Sequence, residues 1–368
     1  MKIAHVVDSM EIGGAETLVA QLCHQQRKDG HDPSVYAILT LGPLGKQLQE
    51  DGFYVRAHLG SGLIHSARNF YRIFKELRPD VVHLHNPTPS IYAGISARMA
   101  GVPSIISTRH SLVAPPHNLV RELKYCVAAG FCDWVVGICE ATANNLKDMH
   151  SIPARKIRCV YNGAVPLARA RQEQWPPKSG FTLVYVGRLE PVKNHALLLN
   201  AFQKALASHP DLRLWMVGDG STRSDLEKLS AQLDITSQVT FWGQQMDVAP
   251  FFSAADAFIM SSQSEGMPIS LLQAFSLGMP AIVTDVGGMA EVVRLAQGGI
   301  IVPAGDPSAM AAAILRLAGN KAEHAQFAIN SEAAFQSHFA LQTMVEAYMK
   351  LYRNTPRARR AEKLQSHL

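Results

Sequence analysis

The sequence predicts an α/β protein built from two doubly wound, Rossmann-like domains. Three observations support this prediction: the length of 368 residues, short apolar segments that alternate with helical stretches, and a polar interruption near the middle. A domain usually holds about 100–200 residues, so a chain of this length is expected to form two. Strands that alternate with helices predict βαβ units, and therefore parallel sheets.

The first half of the chain contains the first series of strands and helices. Its predicted strands are the apolar segments Ile3–Val7, Val81–His85, Ser104–Thr108 and Trp134–Ile138. Amphipathic helices are predicted between them, for example at Ala15–Lys28 and Asn69–Leu77. We assign residues 1–167 to this domain. Residues 168–180, with two adjacent prolines and a terminal glycine, are predicted to form a linker.

The second half repeats the pattern. Its predicted strands are Phe181–Gly187, Leu212–Gly218, Val239–Gly243, Ala257–Ser261 and Ala281–Asp285. These define a second domain over residues 181–340, followed by one more amphipathic helix at about 341–353 and a basic, solvated tail at 354–368. In doubly wound domains ligands bind at the carboxyl ends of the strands, and we expect them there and in a cleft between the domains.

Composition excludes several classes of protein. The chain is 47% hydrophobic and 18% charged, as expected of a soluble α/β protein. A net charge of +5 suits a phosphate-rich ligand, an anionic surface or simply a soluble protein, and is too small for a nucleic-acid binder. Five cysteines without a CxxC pair predict neither a disulfide framework nor a zinc site. Neither a signal peptide nor a transmembrane helix is predicted.

Two strand-to-helix turns in the second half carry candidate binding residues. The first, Gly187–His195, holds Arg188 and Lys193 just before a helix that should begin near Asn194. Helix N-termini bind phosphate oxygens through free N–H groups, and the two cations could neutralise a diphosphate without a metal ion. The same pattern is also compatible with a surface turn whose charges are solvated.

The second turn is Ser264–Gln273. Pro268 suits the first position of a helix, and Gly266 would let the backbone approach a ligand closely. Glu265 could accept hydrogen bonds from sugar hydroxyls, and Gln273, one helical turn beyond Ile269, could hold a ribose. An acidic residue before a helix is also explained by the helix dipole alone.

Together with other motifs, these turns resemble the family four retaining glycosyltransferases. The second-half motifs are GRLEPVKNH, VGDG and the segment Ser264–Val293. The first half contributes GGAE at Gly13–Glu16, DVVHLHN at Asp80–Asn86, TRHS at Thr108–Ser111 and YNG at Tyr161–Gly163. The motifs occur in the family's order and spacing, and the resemblance covers nearly the whole chain.

The resemblance implies a GT-B fold with two Rossmann-like domains, an interdomain cleft and a last helix that crosses back to the first domain. It implies Glu265 and His110 as catalytic residues near the transferred sugar, with Arg188 and Lys193 on the diphosphate. The full set of implied donor-binding residues is Gly13, Gly14, Gly187, Arg188, Lys193, Gly266, Met267, Pro268, Ile269 and Gln273. One position departs from the family: Gln273 stands where the family usually has the second glutamate of its E-x7-E motif.

The implied function is transfer of a sugar, with retention, from a UDP- or GDP-linked donor to a hydroxyl acceptor. A lipid-linked saccharide of a cell-surface polysaccharide is the expected acceptor, and neither a metal nor another cofactor is expected. The alternatives are a nucleotide-sugar epimerase and, because of Gln273, a non-catalytic binding subunit. GGAE lacks the GxGxxG spacing of nicotinamide enzymes.

Three further features leave alternatives open. His110 alone could be a core histidine, and only its TRHS context favours the site. His83 and His85 alternate on one strand and could form a metal pair, but no third ligand is spaced nearby. The basic residues Arg109, Arg121 and Lys124 flank apolar or aromatic positions, namely Leu112, Val113, Leu119, Val120 and Tyr125. That mixture suits a cytoplasmic protein peripheral to an anionic membrane, or a helix packed on its own sheet.

Overall fold

The computed structural model describes residues 1–60, 62–112, 118–148 and 152–355. It divides into two compact units, one formed by Met1–Gly163 with the segment that begins at Leu341, the other by Ala164–Ala340. No helix among the described residues is long and apolar enough to cross a membrane.

The first unit contains a parallel sheet of seven strands. The strands are β1 (Lys2–Val7), β2 (Asp32–Ala37), β3 (Tyr54–Arg56), β4 (Val81–His85), β5 (Ser104–Arg109), β6 (Trp134–Gly137) and β7 (Ile157–Cys159). The helices between them are α1 (Gly14–Lys28), α2 (Gly42–Glu50), α3 (Leu63–Leu77), α4 (Pro87–Ala100), α5 (Leu119–Gly130) and α6 (Glu140–Asp148). The strand order is β3-β2-β1-β4-β5-β6-β7, so β1 and β4 are neighbours although two strands separate them in sequence.

The second unit contains a parallel sheet of six strands. The strands are β8 (Thr182–Val186), β9 (Arg213–Val217), β10 (Val239–Gly243), β11 (Ala257–Met260), β12 (Ala281–Thr284) and β13 (Gly299–Val302). The helices are α7 (His195–Leu206), α8 (Arg223–Gln232), α9 (Ala249–Ala254), α10 (Ile269–Ser276), α11 (Gly287–Ala296), α12 (Pro307–Gly319) and α13 (Lys321–Ala334), followed by a π-helical turn at Phe335–Phe339. The strand order is β10-β9-β8-β11-β12-β13.

Burial explains why the apolar segments form central strands. Every residue of β4, β5 and β8 is buried, because a parallel sheet is covered by helices on both faces. Strands in such sheets consist of nearly continuous apolar residues, and that is the pattern from which they were predicted.

The last helix, α14 (Leu341–Arg353), belongs to the first unit. Its buried side chains recur at helical spacing, so one face of the helix is apolar: Leu341, Met344, Val345, Tyr348, Met349 and Tyr352. The Tyr348 hydroxyl lies 3.1 Å from the Thr108 hydroxyl on β5. The predicted return of the last helix to the first domain is thus confirmed.

The unit boundary lies slightly before the predicted one. The segment predicted as a linker, residues 168–180, falls within the second unit, where the guanidinium of Arg169 donates to the carbonyl oxygen of Leu277 at 2.8 Å. The backbone N–H of Ala170 donates to the Ser253 hydroxyl at 2.9 Å. Of the predicted basic tail, residues 356–368 lie outside the described residues. Thr355 is buried, and its hydroxyl donates to the carbonyl oxygen of Pro103 at 3.1 Å.

Candidate functional site

In each unit the predicted site residues lie where the strand order reverses direction. In the second sheet the chain proceeds from β8 outward to β9 and β10, then returns to place β11 on the other side of β8. The loops that leave β8 and β11 therefore diverge and leave a crevice at the carboxyl edge of the sheet, which is where doubly wound domains bind ligands. The two turns singled out in the sequence follow these two strands.

The turn after β8 is held by its own side chains and backbone. The Tyr185 hydroxyl donates to the carbonyl oxygen of Arg188 at 2.9 Å, which fixes the backbone while the Arg188 side chain remains exposed. A Cβ atom at Gly218, after β9, would clash with the carbonyl oxygen of Gly187. Only glycine at position 218 allows the two loops to pack this closely.

The helix that follows this turn begins as predicted. A short 3₁₀ turn, Pro191–Lys193, leads to Asn194 in the left-handed conformation (φ 52°, ψ 47°), and α7 starts at His195. The Ser261 hydroxyl, at the end of β11, lies 2.9 Å and 3.0 Å from the carbonyl oxygens of Lys193 and Asn194. The two loops are therefore joined at the mouth of the crevice.

An ion pair connects the two turns. The ammonium group of Lys193 donates to Oε2 of Glu265, and the side chains are only 16% and 15% exposed. The Ser262 hydroxyl lies 3.3 Å from the same carboxylate oxygen. The resemblance implied separate partners for these residues, the diphosphate for Lys193 and the sugar for Glu265. In the structure they contact each other, so the position of each depends on the other.

The remaining predicted donor residues lie around the start of α10. Gly266, Met267 and Pro268 are buried, whereas Ile269 and Gln273 are partly exposed on the helix. The helix begins at Ile269, one residue later than predicted, because Pro268 has an extended backbone (φ −66°, ψ 127°) and occupies the N-cap position. The α7 and α10 N-termini thus follow adjacent strands, and both bring unpaired backbone N–H groups to the same edge of the sheet.

The first unit has an equivalent crevice between β1 and β4. Gly13 is extended (φ −159°, ψ 164°) and is the N-cap of α1, which Gly14 begins. Asn86 follows β4, and its side-chain oxygen accepts a hydrogen bond from the backbone N–H of His110 at 3.1 Å. Loops from β1, β4 and β5 therefore contribute to this edge. Asn86 positions His110 there, a role that the sequence alone does not indicate.

His110 does not stand alone but ends a row of hydrogen-bonded histidines. Its Nε2 lies 3.1 Å from Nδ1 of His85, whose Nε2 lies 3.0 Å from Nδ1 of His5. His5 Nε2 in turn lies 2.8 Å from Oε1 of Gln26 on α1. His110 is partly exposed, and the other three residues of the row are buried. Burial lowers the pKa of His5 and of His110 to about 4, so both are neutral at pH 7.

His83 lies beside this row. Its Nδ1 is 2.8 Å from the Tyr352 hydroxyl, and its Nε2 is 2.7 Å from the Thr108 hydroxyl. Ring atoms of His5, His83 and His85 come within 4.8 Å of one another. The sequence shows no third ligand spaced near His83 and His85, but the pairing of β1 with β4 places His5 directly beside His83.

Of the residues predicted to contact a membrane, some are buried and others are exposed. Arg109 is buried and bidentate to Glu122, at 2.6 Å and 3.0 Å, and Tyr125 is fully buried, so neither can contact lipid. Val113 lies outside the described residues. On α5, four apolar side chains are exposed by 62–72%: Leu119, Val120, Leu123 and Val127. Arg121 and Lys124 are exposed on the same helix.

Comparison with protein families divides the chain close to the boundary between the two units. Residues 12–166 match the model described as Glycosyltransferase Family 4, and residues 168–334 match Glycosyl transferases group 1. The crystal structure of Anabaena HepE in complex with UDP superposes with a TM-score of 0.83 at 18% identity, covering 95% of this chain and 99% of HepE. This similarity shows the fold, and the predicted GT-B architecture of two Rossmann-like domains is confirmed.

Curated relatives agree with the family match. The lipopolysaccharide core biosynthesis glycosyltransferase LpsE of Rhizobium meliloti is 28% identical over 207 residues, which cover 55% of this chain and 59% of LpsE. The UDP-Gal:α-D-GlcNAc-diphosphoundecaprenol α-1,3-galactosyltransferase of Escherichia coli is 26% identical over 271 residues, 69% of this chain and 70% of that enzyme. With both halves of the chain matched in order, the protein belongs to the glycosyltransferases of the Family 4 and group 1 type.

Proposed function

We propose that the protein transfers a sugar from a nucleotide diphosphate-sugar to a hydroxyl acceptor, with retention of configuration at the anomeric carbon. The observation that supports this most directly is the Lys193–Glu265 pair at the switch point of the second sheet. A cation and a carboxylate held between two helix N-termini suit a ligand that combines phosphate groups with sugar hydroxyls. Neither an epimerase nor a binding subunit would require an acceptor.

The donor would lie across the carboxyl ends of β8 and β11. Arg188, with its exposed guanidinium, and Lys193 would bind the diphosphate together with the α7 N-terminus. Glu265 would accept hydrogen bonds from the sugar, and the segment Gly266–Ile269 would line the sugar-binding site. Gln273 would hold the ribose hydroxyls through its amide. HepE in complex with UDP supports a uridine nucleotide as the first donor to test, with a guanosine nucleotide second.

The chemistry follows from where charge develops. As the bond to the leaving diphosphate breaks, negative charge grows on the phosphate oxygens, and preorganised cations and helix dipoles stabilise it most effectively. Two cations and two helix N-termini would supply this stabilisation, so we propose that neither a metal ion nor another cofactor is required. The acceptor hydroxyl would attack on the face that the diphosphate leaves, assisted by the departing phosphate. His110 would lie near the transferred sugar.

A lipid-linked saccharide of a cell-surface polysaccharide is the acceptor class that we propose. The E. coli relative is named for a diphosphoundecaprenol-linked acceptor, and the R. meliloti relative for lipopolysaccharide core synthesis. Such acceptors are anchored in the cytoplasmic membrane, so an enzyme that uses them must work at a lipid surface.

We further propose that α5 binds the cytoplasmic face of an anionic membrane. Leu119, Leu123 and Val127 recur at i, i+4 and i+8, and so form one exposed apolar stripe along the helix. The exposed cations Arg121 and Lys124 complement anionic headgroups. Apolar side chains flanked by basic residues are the pattern of helices that lie in a membrane interface.

The transfer reaction is tested by incubating the purified protein with UDP- and GDP-sugars and membrane lipid extracts, followed by mass spectrometry of the lipids. We expect a lipid-linked product one sugar heavier, and slow hydrolysis of the same donor without acceptor. Conversion of the donor sugar into its epimer without acceptor would identify an epimerase instead. Donor binding without any turnover would identify a binding subunit.

The membrane proposal is tested by flotation with vesicles of neutral and anionic phospholipid at low salt. We expect the protein to float with anionic vesicles only, and Leu123→Asp to weaken this binding at least fivefold. The matched control is Ile329→Asp, which places the same charge on another exposed apolar residue, 65% exposed on α13. Equal flotation of parent and Leu123→Asp proteins, or none with anionic vesicles, would exclude α5 as the membrane contact.

A further inference from the structure

The hydrogen bonds in the row Gln26–His5–His85–His110 all have the same donor-to-acceptor direction. At its buried end, the Gln26 carboxamide oxygen faces His5 Nε2 at 2.8 Å. A carbonyl oxygen can only accept a hydrogen bond, so His5 must carry its proton on Nε2. A neutral imidazole has a single N–H, which leaves His5 Nδ1 unprotonated and able only to accept. One glutamine therefore determines which nitrogen of the first histidine is protonated.

The same reasoning passes along the row. His5 Nδ1 accepts a hydrogen bond, so the donor 3.0 Å away must be His85 Nε2. His85 Nδ1 is then unprotonated and accepts from His110 Nε2, 3.1 Å away. His110 in turn has its proton on Nε2, and its Nδ1 keeps a free lone pair. Every hydrogen bond in the row points toward Gln26.

This direction holds only while each ring is neutral, because an imidazolium would donate from both nitrogens. Burial lowers the pKa of His85 well below its usual value, and that of His5 and His110 to about 4. Among the described residues, the hydrogen-bond partners of the three rings include no carboxylate. At pH 7 each ring therefore carries one proton.

A metal ion is the alternative occupant of this cluster, since His5, His83 and His85 approach one another closely. However, each of their six ring nitrogens already has a hydrogen-bond partner within 3.1 Å among the described residues. The His83 nitrogens contact the hydroxyls of Tyr352 and Thr108, and the others form the row. A metal would have to break several of these bonds to obtain its lone pairs.

We propose that Gln26, His5 and His85 are positioning residues that fix His110 as the Nε2–H tautomer and present its Nδ1 as a hydrogen-bond acceptor. The further role of this acceptor, receiving a hydroxyl proton of the transferred sugar or acceptor in a hydrogen bond, rests on the proposed transferase function. Asn86 supports the same geometry by holding the His110 backbone. The row thereby links a buried amide on α1 to the residue at the mouth of the first unit's crevice.

Nuclear magnetic resonance of the full chain with ¹⁵N-labelled histidine tests the tautomer directly at pH 7. We expect His110 and His85 to be protonated on Nε2, with nitrogen–nitrogen couplings across the bonds from His110 to His85 and from His85 to His5. A proton on His110 Nδ1, a charged His110, or absent couplings would overturn the proposal. So would binding of one zinc ion per chain that displaces these N–H signals.

Gln26→Leu tests the origin of the direction, and Gln25→Leu is its matched control. Gln25 lies beside Gln26 on α1, but its amide donates to Asp29 instead of to a histidine. Loss of the anchoring hydrogen bond should change the tautomer ratio of His110 about fivefold in Gln26→Leu and leave it unchanged in Gln25→Leu. Equal spectra for both variants would overturn the role of Gln26.

Kinetics separate this proposal from the transferase proposal. Gln26→Leu should lower kcat at least fivefold and leave the KM for the donor within twofold, because most of the proposed donor contacts lie in the second unit. A changed tautomer ratio with unchanged kcat would show that the acceptor role of His110 is wrong. A protein that transfers no sugar, but shows the expected tautomers and couplings, would contradict the transferase function and not the hydrogen-bond row.

Discussion

Replacing Lys193 with alanine tests the candidate donor site most directly. The substitution removes one cation from the proposed diphosphate contact, and leaves the Glu265 carboxylate, only 15% exposed, without its ion-pair partner. A hydrogen bond to a charged group contributes about 1.5–3 kcal/mol. Because each 1.36 kcal/mol corresponds to a factor of ten, kcat/KM for the donor should fall roughly 10- to 150-fold.

The control for this experiment is Lys178→Ala. Lys178 forms the same kind of pair with Asp256 in the same unit, at 2.8 Å, but with side chains 29% and 27% exposed. Exposed pairs of this kind contribute about 0–1 kcal/mol, so this variant should lose little stability and keep kcat/KM within twofold. Initial rates with a labelled donor, together with thermal unfolding, compare the two variants. A folded Lys193→Ala protein with kcat/KM within threefold of the parent would refute the assignment.

A double-mutant cycle then asks whether the pair acts as one unit. Glu265→Gln alone should lower kcat, since that carboxylate is proposed to lie at the sugar. Lys193→Ala combined with Glu265→Gln should cost less than the sum of the two single changes, because only the single variants leave one member of this ion pair without its partner. Strict additivity would show that the contact seen between the two side chains does not exist in the working enzyme.

The remaining predictions concern the ribose contact, metal dependence and pH. Gln273→Glu should change the KM for the donor modestly, toward tighter binding, with kcat within twofold, because this position binds donor and transition state alike; loss of turnover would contradict this. Turnover should continue in excess EDTA, and complete loss with recovery in Mg²⁺ or Mn²⁺ would contradict it. His5 and His110, with folded pKa values of about 4, take up protons on unfolding below pH 6.5. The free energy of unfolding therefore decreases as the pH is lowered. Between pH 7.5 and 5 the free energy of unfolding should drop by about 2 kcal/mol for each such histidine, and a denaturation midpoint independent of pH would contradict this.

Much of the fold was predictable because central parallel strands are nearly all apolar. The strands that the sequence did not reveal lie toward the sheet edges and have weaker patterns: β2 contains Pro33, β3 and β7 have three residues each, and β13 starts with a glycine. Proline is disfavoured within strands, and a three-residue segment shows too little periodicity to be distinguished from a loop.

The sequence predicted many of the residues of the candidate site, but it did not predict which of them contact each other. The sequence marked Lys193 and Glu265 as neighbours of a ligand, but their contact depends on β8 pairing with β11, which brings together residues 72 positions apart. His5 was not singled out because its partner His85 is 80 residues away. Gln26 did carry a signal, since it is a polar residue on the buried face of α1, next to Leu22 and Cys23. Buried polar residues of this kind are the ones most often involved in a network.

The return of α14 to the first unit makes the folding of the two units depend differently on the end of the chain. The hydrogen bond between His83 on β4 and the Tyr352 hydroxyl joins residues that are 269 positions apart in the sequence. It can form only after nearly the entire polypeptide has been synthesised. The second unit is one uninterrupted segment, Ala164–Ala340, and every contact it needs has been translated before α14 appears. A truncated chain that ends before Leu341 and has been released from the ribosome should therefore contain a second unit that can fold, while the first unit still lacks part of its core. The domain that is synthesised first is thus the one that is completed last.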